Sequence, residues 1–163
     1  MDASDELLGG AVEIAMAAGR LAAQRFVEGT QVRTKADGSE VTAADTEVEK
    51  LLRSLITARF PGDGVAGEEL AETAGTTGRR WILDPIDGTS AFVRRIPAFN
   101  VLVAVEDDDG GLASVMAGYP QGYEDIAPIP VMVTEAGGRV SDLEGNDCPD
   151  RQRHRPGQQR PYP

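Results

Sequence analysis

The chain has little of what most hydrolases use to move protons. Among its 163 residues there is one histidine, His154, near the C-terminal end. A histidine general base, a Ser-His-Asp triad and a zinc site built on histidine are therefore not expected. Cysteine is as scarce. Cys148 stands alone, so no internal disulfide can form, and a reducing cytoplasm is the expected setting. Basic charge is also short: 16 Lys and Arg face 27 Asp and Glu, a formal net charge of -11. That balance argues against a nucleic-acid surface. No apolar run is long enough to span a bilayer, and the acidic N-terminus lacks the basic-then-apolar pattern of a signal peptide. No internal repeat is found. Hydrolytic chemistry in such a chain has to run on carboxylates, hydroxyls and water activated by a metal ion.

What is present is a globular composition, 40% apolar and 26% charged, in a chain long enough for one domain with a real core. Its organising stretch is Trp81-Ile82-Leu83-Asp84-Pro85-Ile86-Asp87-Gly88-Thr89. Trp81 to Leu83 reads as a short buried strand that stops at Asp84. Pro85 cannot donate to a ladder, and Gly88 permits backbone angles that other residues avoid. Two carboxylates are thus set on a rigid turn, with the Thr89 hydroxyl next. Hard divalent cations take oxygen ligands, and crowded carboxylates need a cation to offset their repulsion. A tight surface turn is the plainer reading of the same letters.

Around this stretch the periodicity predicts a helix over 5–27, a short strand over 31–35, a turn over 36–39, and a second helix with Val48, Leu51, Leu52, Leu55 and Ile56 on one face. Thr42-Ala43-Ala44-Asp45 fits a capping box, so Asp45 has a purely structural reading as well as a functional one. A short strand or loop entry is expected over 64–68, a Gly/Thr-rich loop over 71–80 and one or two helical turns over 90–95. A hairpin with strands 99–105 and 112–117 follows, its acidic turn a solvated one rather than a calcium loop. Asp125 to Gly138 reads as a helix, with Pro130 expected to remove one of its hydrogen bonds at up to ~3 kcal/mol, and 139–142 as a strand. Asn146 to Pro163, with four Arg, four Pro and three Gln, reads as a disordered tail.

The order V-T-x-x-D (41–45), G-E-E (67–69), W-I-x-D-P-I-D-G-T (81–89), then Phe92 and Pro97, resembles the inositol monophosphatase family, magnesium-dependent and lithium-sensitive phosphatases of small phosphate monoesters. P-G-D-G-V-x-G-E-E and the later E-A-G-G-R look most like its bacterial histidinol-phosphatase branch. The resemblance implies an α/β fold, a layered α+β sandwich, here incomplete: an N-terminal half-fold plus a short C-terminal helix–strand piece. It implies that Glu68, Asp84, Asp87 and Asp125, with the carbonyl of Ile86, hold two or three Mg2+ ions. Asp45 and Thr89 would orient the attacking water, Glu68 would serve both metal and catalysis, and the amides of Gly88 and Thr89 would cradle the phosphate.

The chain also departs from the family. Ala91 stands where Asn is usual, and Glu124 and Pro128 replace Trp and Ala of the second family signature. Near 120–123 the family has a further segment of roughly a hundred residues. The resemblance therefore covers about 1–119 and 124–145, giving one truncated domain over 1–145 and a tail over 146–163. Two functions follow as expectations. One is a magnesium-dependent phosphatase of histidinol phosphate or inositol monophosphate. The other is an inactive, internally deleted remnant with weak metal binding or self-association. A small phosphate ester is the expected partner, with a homodimer expected from the family's dimers.

Overall fold

The computed structural model describes residues 3–36, 38–108, 110–118, 128–142 and 145–146. The chain forms two compact units, 1–119 and 120–163. Asp125, the junction near 120–123 and the tail from 147 onward lie outside the described residues.

The first unit opens with α1 (Ala3–Glu28), whose face of Leu7, Ala11, Ile14, Ala15, Ala18 and Ala22 is buried. Small residues at this spacing let a helix lie close to its neighbours. Gly29, at φ +93°, ends the helix where an L side chain would be strained. β1 (Val32–Thr34) pairs antiparallel with β2 (Glu40–Thr42). The sequence reading had no strand at β2, because three residues carry no readable alternation. α2 (Ala43–Arg59) follows at once and buries Val48, Leu52 and Ile56.

A four-stranded sheet of order β3-β4-β5-β6 lies against these helices. β3 (Gly64–Gly67) runs parallel to β4 (Arg80–Asp87), and β5 (Asn100–Asp107) and β6 (Gly110–Gly118) continue antiparallel. Alternate residues Trp81, Leu83, Val101, Val103, Val105, Val115 and Ala117 point into the core beneath α1 and α2. The other face stays open: Ile82 and Met116 are exposed there, and Leu102 and Ala104 half-buried. Phe26, Phe92 and Phe99 form an edge-on aromatic cluster that seals one end of the core.

β4 is longer than its sequence suggests. It passes Asp84 and Pro85 and pairs again at Asp87, opposite Asn100, with a register irregularity between Asp84 and Asp87. Pro85 sits inside that irregularity, where no ladder bond needs its missing N–H. The acids are therefore carried by the strand's own end. α3 (Thr89–Val93) then begins from Gly88 at φ +91°.

In the second unit, α4 (Pro128–Glu135) ends at Ala136-Gly137, with Gly137 at φ +84°. Pro130 is the third residue of the described helix, and residues 125–127 of the expected one lie outside the described residues. Arg139 to Asp142 form no regular strand. The backbone instead closes a turn in which Asp142 accepts from the Asn146 amide at 2.8 Å.

Asp63 fastens β4 to the core. Its carboxylate accepts from the buried Trp81 Nε1 at 2.9 Å, from Thr77 Oγ1 at 2.6 Å and from Arg79 Nε at 3.1 Å. Burial by itself would raise this acid, but the bonds from Arg79, Thr77 and Trp81 outweigh it and hold it below the usual carboxylate range. A depressed acid stabilises the fold above its unfolded pKa, and that contribution disappears as pH falls through the folded value. Asp63→Asn should therefore lower stability by about 2 kcal/mol at neutral pH. In urea unfolding the gap between variant and parent should narrow below about pH 4; a gap independent of pH would refute the role given to the charge.

Candidate metal centre

Most of the sequence-predicted residues gather around the C-terminal end of β4. Asp45 is fully buried at the third position of α2, where the capping box forms as expected. Its Oδ2 accepts from the Thr42 amide at 2.8 Å and from Thr42 Oγ1 at 2.6 Å. Its Oδ1 is turned the other way and lies 3.1 Å from Thr89 Oγ1. The structural and functional readings of Asp45 thus use different oxygens of one carboxylate. Thr89 Oγ1 also lies 2.9 Å from the Ile86 carbonyl. A hydroxyl has one proton, so the two acceptors share it, and lone pairs on Thr89 and Ile86 remain for other donors or ions.

Asp84 is the strained member. It is half-buried, and its Oδ1 is fully covered without any hydrogen-bond partner. Burial, then the charges of Glu68 and Asp87, then a hydrogen bond shared with Glu68, push its pKa up to about 7. Glu68 follows β3 on an exposed turn, and its amide donates to the Leu83 carbonyl at 3.2 Å. Asp87 is exposed on the ladder opposite Asn100. Gly88 and Thr89 open α3 beside them.

The expected ligand set is only partly assembled. Glu68 and Asp84 are brought within hydrogen-bonding reach, and Asp87 acts on Asp84 through its charge. Among the described residues, no three carboxylates close on one point as a finished chelate. Asp125 lies outside those residues. Without a cation between them, like charges separate or share a proton.

Whether the residues fit a hard divalent ion can be judged from the donors. A covered, unpartnered carboxylate oxygen on Asp84, a second carboxylate at Glu68 and a carbonyl at Ile86 form an all-oxygen set of the kind Mg2+ accepts. The set fits. Lys35 supplies what positive charge there is: its Nζ reaches Glu69 at 2.7 Å and Glu68 at 3.2 Å. The Glu69 bond chiefly holds the ammonium pKa above its ordinary value.

Three contributors were missed in the sequence. Lys35 reads there as the end of a short strand, with nothing to place it over residues more than thirty positions away. Glu49 and Arg53 sit on α2 and bind the turn that carries Glu68. Their signal was available: a charged residue beside Val48 and Leu52, one turn after Asp45, interrupts the apolar stripe. Arg94 and Arg95, just after α3, are held by other groups. Arg94 bonds Glu40 at 2.8 Å, and Arg95 donates to the Phe26 carbonyl.

Comparison with known proteins places this geometry. Over 97 residues the chain is 45% identical to a histidinol-phosphatase of Chlorobaculum parvum, covering 59% of this chain and 38% of that protein. Over 107 residues it is 38% identical to an inositol-1-monophosphatase of Rhizobium meliloti, covering 64% of this chain and 40% of that one. Among solved structures, the extragenic suppressor protein suhB of Bartonella henselae superposes with a TM-score of 0.64 at 33% identity, over 68% of this chain and 44% of that one. The chain thus spans about two fifths of the length of the curated relatives it matches. The inositol monophosphatase family profile matches residues 3–123, which take in Asp45, the Glu68 turn and the whole acidic end of β4. No helix among the described residues is long and apolar enough to cross a membrane. On the strength of that match, which covers well over half of its residues, the chain belongs to the inositol monophosphatase family.

Proposed function

We propose that this chain is the metal-binding and water-orienting part of a magnesium-dependent phosphatase acting on a small phosphate monoester, histidinol phosphate or inositol monophosphate. The observation that carries the reading is the covered, unpartnered oxygen of Asp84 beside Glu68 and Asp87. A buried acceptor left without a donor costs stability, and a cation is the partner that this all-acid neighbourhood lacks.

Glu68, Asp84, Asp87 and the Ile86 carbonyl would hold Mg2+. The bound ion supplies positive charge toward the phosphate oxygens and makes water more acidic. The protein does the rest. Asp45 Oδ1 accepts a hydrogen bond from Thr89 Oγ1, which leaves a lone pair on Thr89 Oγ1 to accept from a water. The water is thereby turned with its own lone pair toward phosphorus. The amides that open α3, at Gly88 and Thr89, lack partners within the helix and would donate to the phosphate oxygens. The net charge of -11 suits a small ester held by metal better than a polyanion held by side chains. The single cysteine supports a cytoplasmic setting, and the family's dimers support a homodimer.

The test is phosphate release from histidinol phosphate and from inositol 1-phosphate, with and without Mg2+, beside Asp87→Asn. Magnesium-dependent release that falls by about a hundredfold or more in the variant is expected. Release no greater than that of the variant, from a sample shown to be folded, would rule the activity out.

Asp84 makes a second expectation. Its folded pKa lies above the ordinary carboxylate value, so the folded chain holds a proton that the unfolded chain releases. The metal-free chain therefore loses stability as pH rises from about 4 to about 7. Asp84→Asn should be more stable than the parent in EDTA at pH 7.5, by on the order of 1–2 kcal/mol after allowing for partial exposure. At pH 4 the two should match. Added Mg2+ should stabilise the parent and leave the variant unchanged. A variant with the same offset at both pH values would show that burial and neighbouring charge do not act on this acid.

A further inference from the structure

The buried face of α2 carries Glu49, fully enclosed and one turn after Asp45. A carboxylate in that position is costly unless every lone pair is used. Here they are used on one short piece of chain. Glu49 Oε2 accepts from the Glu69 amide at 2.7 Å, and Oε1 accepts from the Leu70 amide at 3.2 Å and from Arg53 Nε at 2.8 Å. Arg53 then reaches past Glu49 to the same segment. Its guanidinium donates to the Leu70 carbonyl at 3.1 Å, the Thr73 hydroxyl at 3.2 Å and the Val65 carbonyl at 3.4 Å. Gly67 completes the fit, since a Cβ there would overlap the Glu49 carboxylate.

Glu68 lies in the middle of this arrangement. The residue before it admits the carboxylate, the two after it donate to it, and its own amide is held by Leu83, the neighbour of Asp84. Its side chain, by contrast, is half exposed and reaches toward Lys35. The backbone is thus fixed and the carboxylate is not. Packing does not require a charge at position 49, because Val48, Leu52 and Ile56 already fill the helix–sheet contact. What the carboxylate serves is the turn, since its partners are Arg53 and the Glu69 and Leu70 amides.

We propose that Glu49, with Arg53 as its charge partner, is a positioning residue for the divalent-cation site. It locks the 68–70 backbone so that the Glu68 carboxylate, which Lys35 already bonds, keeps its reach to Asp84. The proposal rests on the metal reading given above. α2 then serves both halves of the site from one side, presenting Asp45 to Thr89 and Glu49 to the Glu68 turn.

The experiment measures Mn2+ binding to the full chain by electron paramagnetic resonance, and amide hydrogen exchange at Glu69 and Leu70, in the parent, Glu49→Gln and Gly67→Ala. Glu49→Gln keeps the shape but presents an amide NH2 where an acceptor is needed. Gly67→Ala keeps Glu49 and pushes its carboxylate away, so it carries the test if the first variant fails to fold. In each, Mn2+ affinity should fall about tenfold or more. The two amides should exchange faster, while Val103 in the sheet keeps its protection. Folded variants that bind Mn2+ as the parent does, or that leave the two amides unchanged, would overturn the positioning role. A parent that takes up no Mn2+ would overturn the metal reading and this role with it. The exchange of the two amides would then still report whether Glu49 holds the turn.

Discussion

The structure depends on keeping several carboxylates at the end of one strand. Asp84 is drawn into partial cover because β4 continues past it to pair at Asp87, and Glu68 is drawn beside it because β3 runs parallel to β4. Parallel neighbours end on the same side of a sheet, so acids that follow the two strands meet there. Burial and these charges raise the Asp84 pKa, and Lys35 offsets part of the repulsion. Most of the surrounding structure serves to make that crowding tolerable.

Two devices do so. Asp63 ties β4 to the core through the Trp81 indole, so the strand cannot relax sideways. Glu49 and Arg53 tie the Glu68 turn to α2, so the turn cannot lift off. Both place a carboxylate in a buried position and satisfy it with several donors, the condition under which buried charge holds a geometry rather than loosening it. α2 is the common support: its N-terminus carries Asp45 and its middle carries the clamp on the turn.

The open face of the sheet reflects the length of the chain. Ile82, Leu102 and Met116 lie on a side that no described element of the first unit covers. Sheets with helices on one face expose the other, and here Ile82, Leu102 and Met116 make an apolar strip beside Ser114. A shallow recess of about 390 Å³ runs along it between Ile82, Leu102 and Met116. The share of each relative that this chain matches, 38% of one and 40% of another, accords with a partial fold.

The sequence by itself determined the elements whose signals are local. The 3.6-residue spacing in α1 and α2, the alternation in β5 and β6, the Thr42–Asp45 cap and the order of the acidic motifs were all legible, because each is written within a few residues. So was the family. The continuation of β4 past Pro85 to Asp87 and the strand β2 were not, because pairing partners decide them. Tertiary structure alone decided that Asp45 would divide its two oxygens between Thr42 and Thr89, that Lys35 would stand over Glu68 and Glu69, and that Glu49 would hold the turn between them. Each of these brings together residues that lie from 20 to 44 positions apart along the chain. Charge and hydrogen bonding act through distance in space, and only the fold sets that distance.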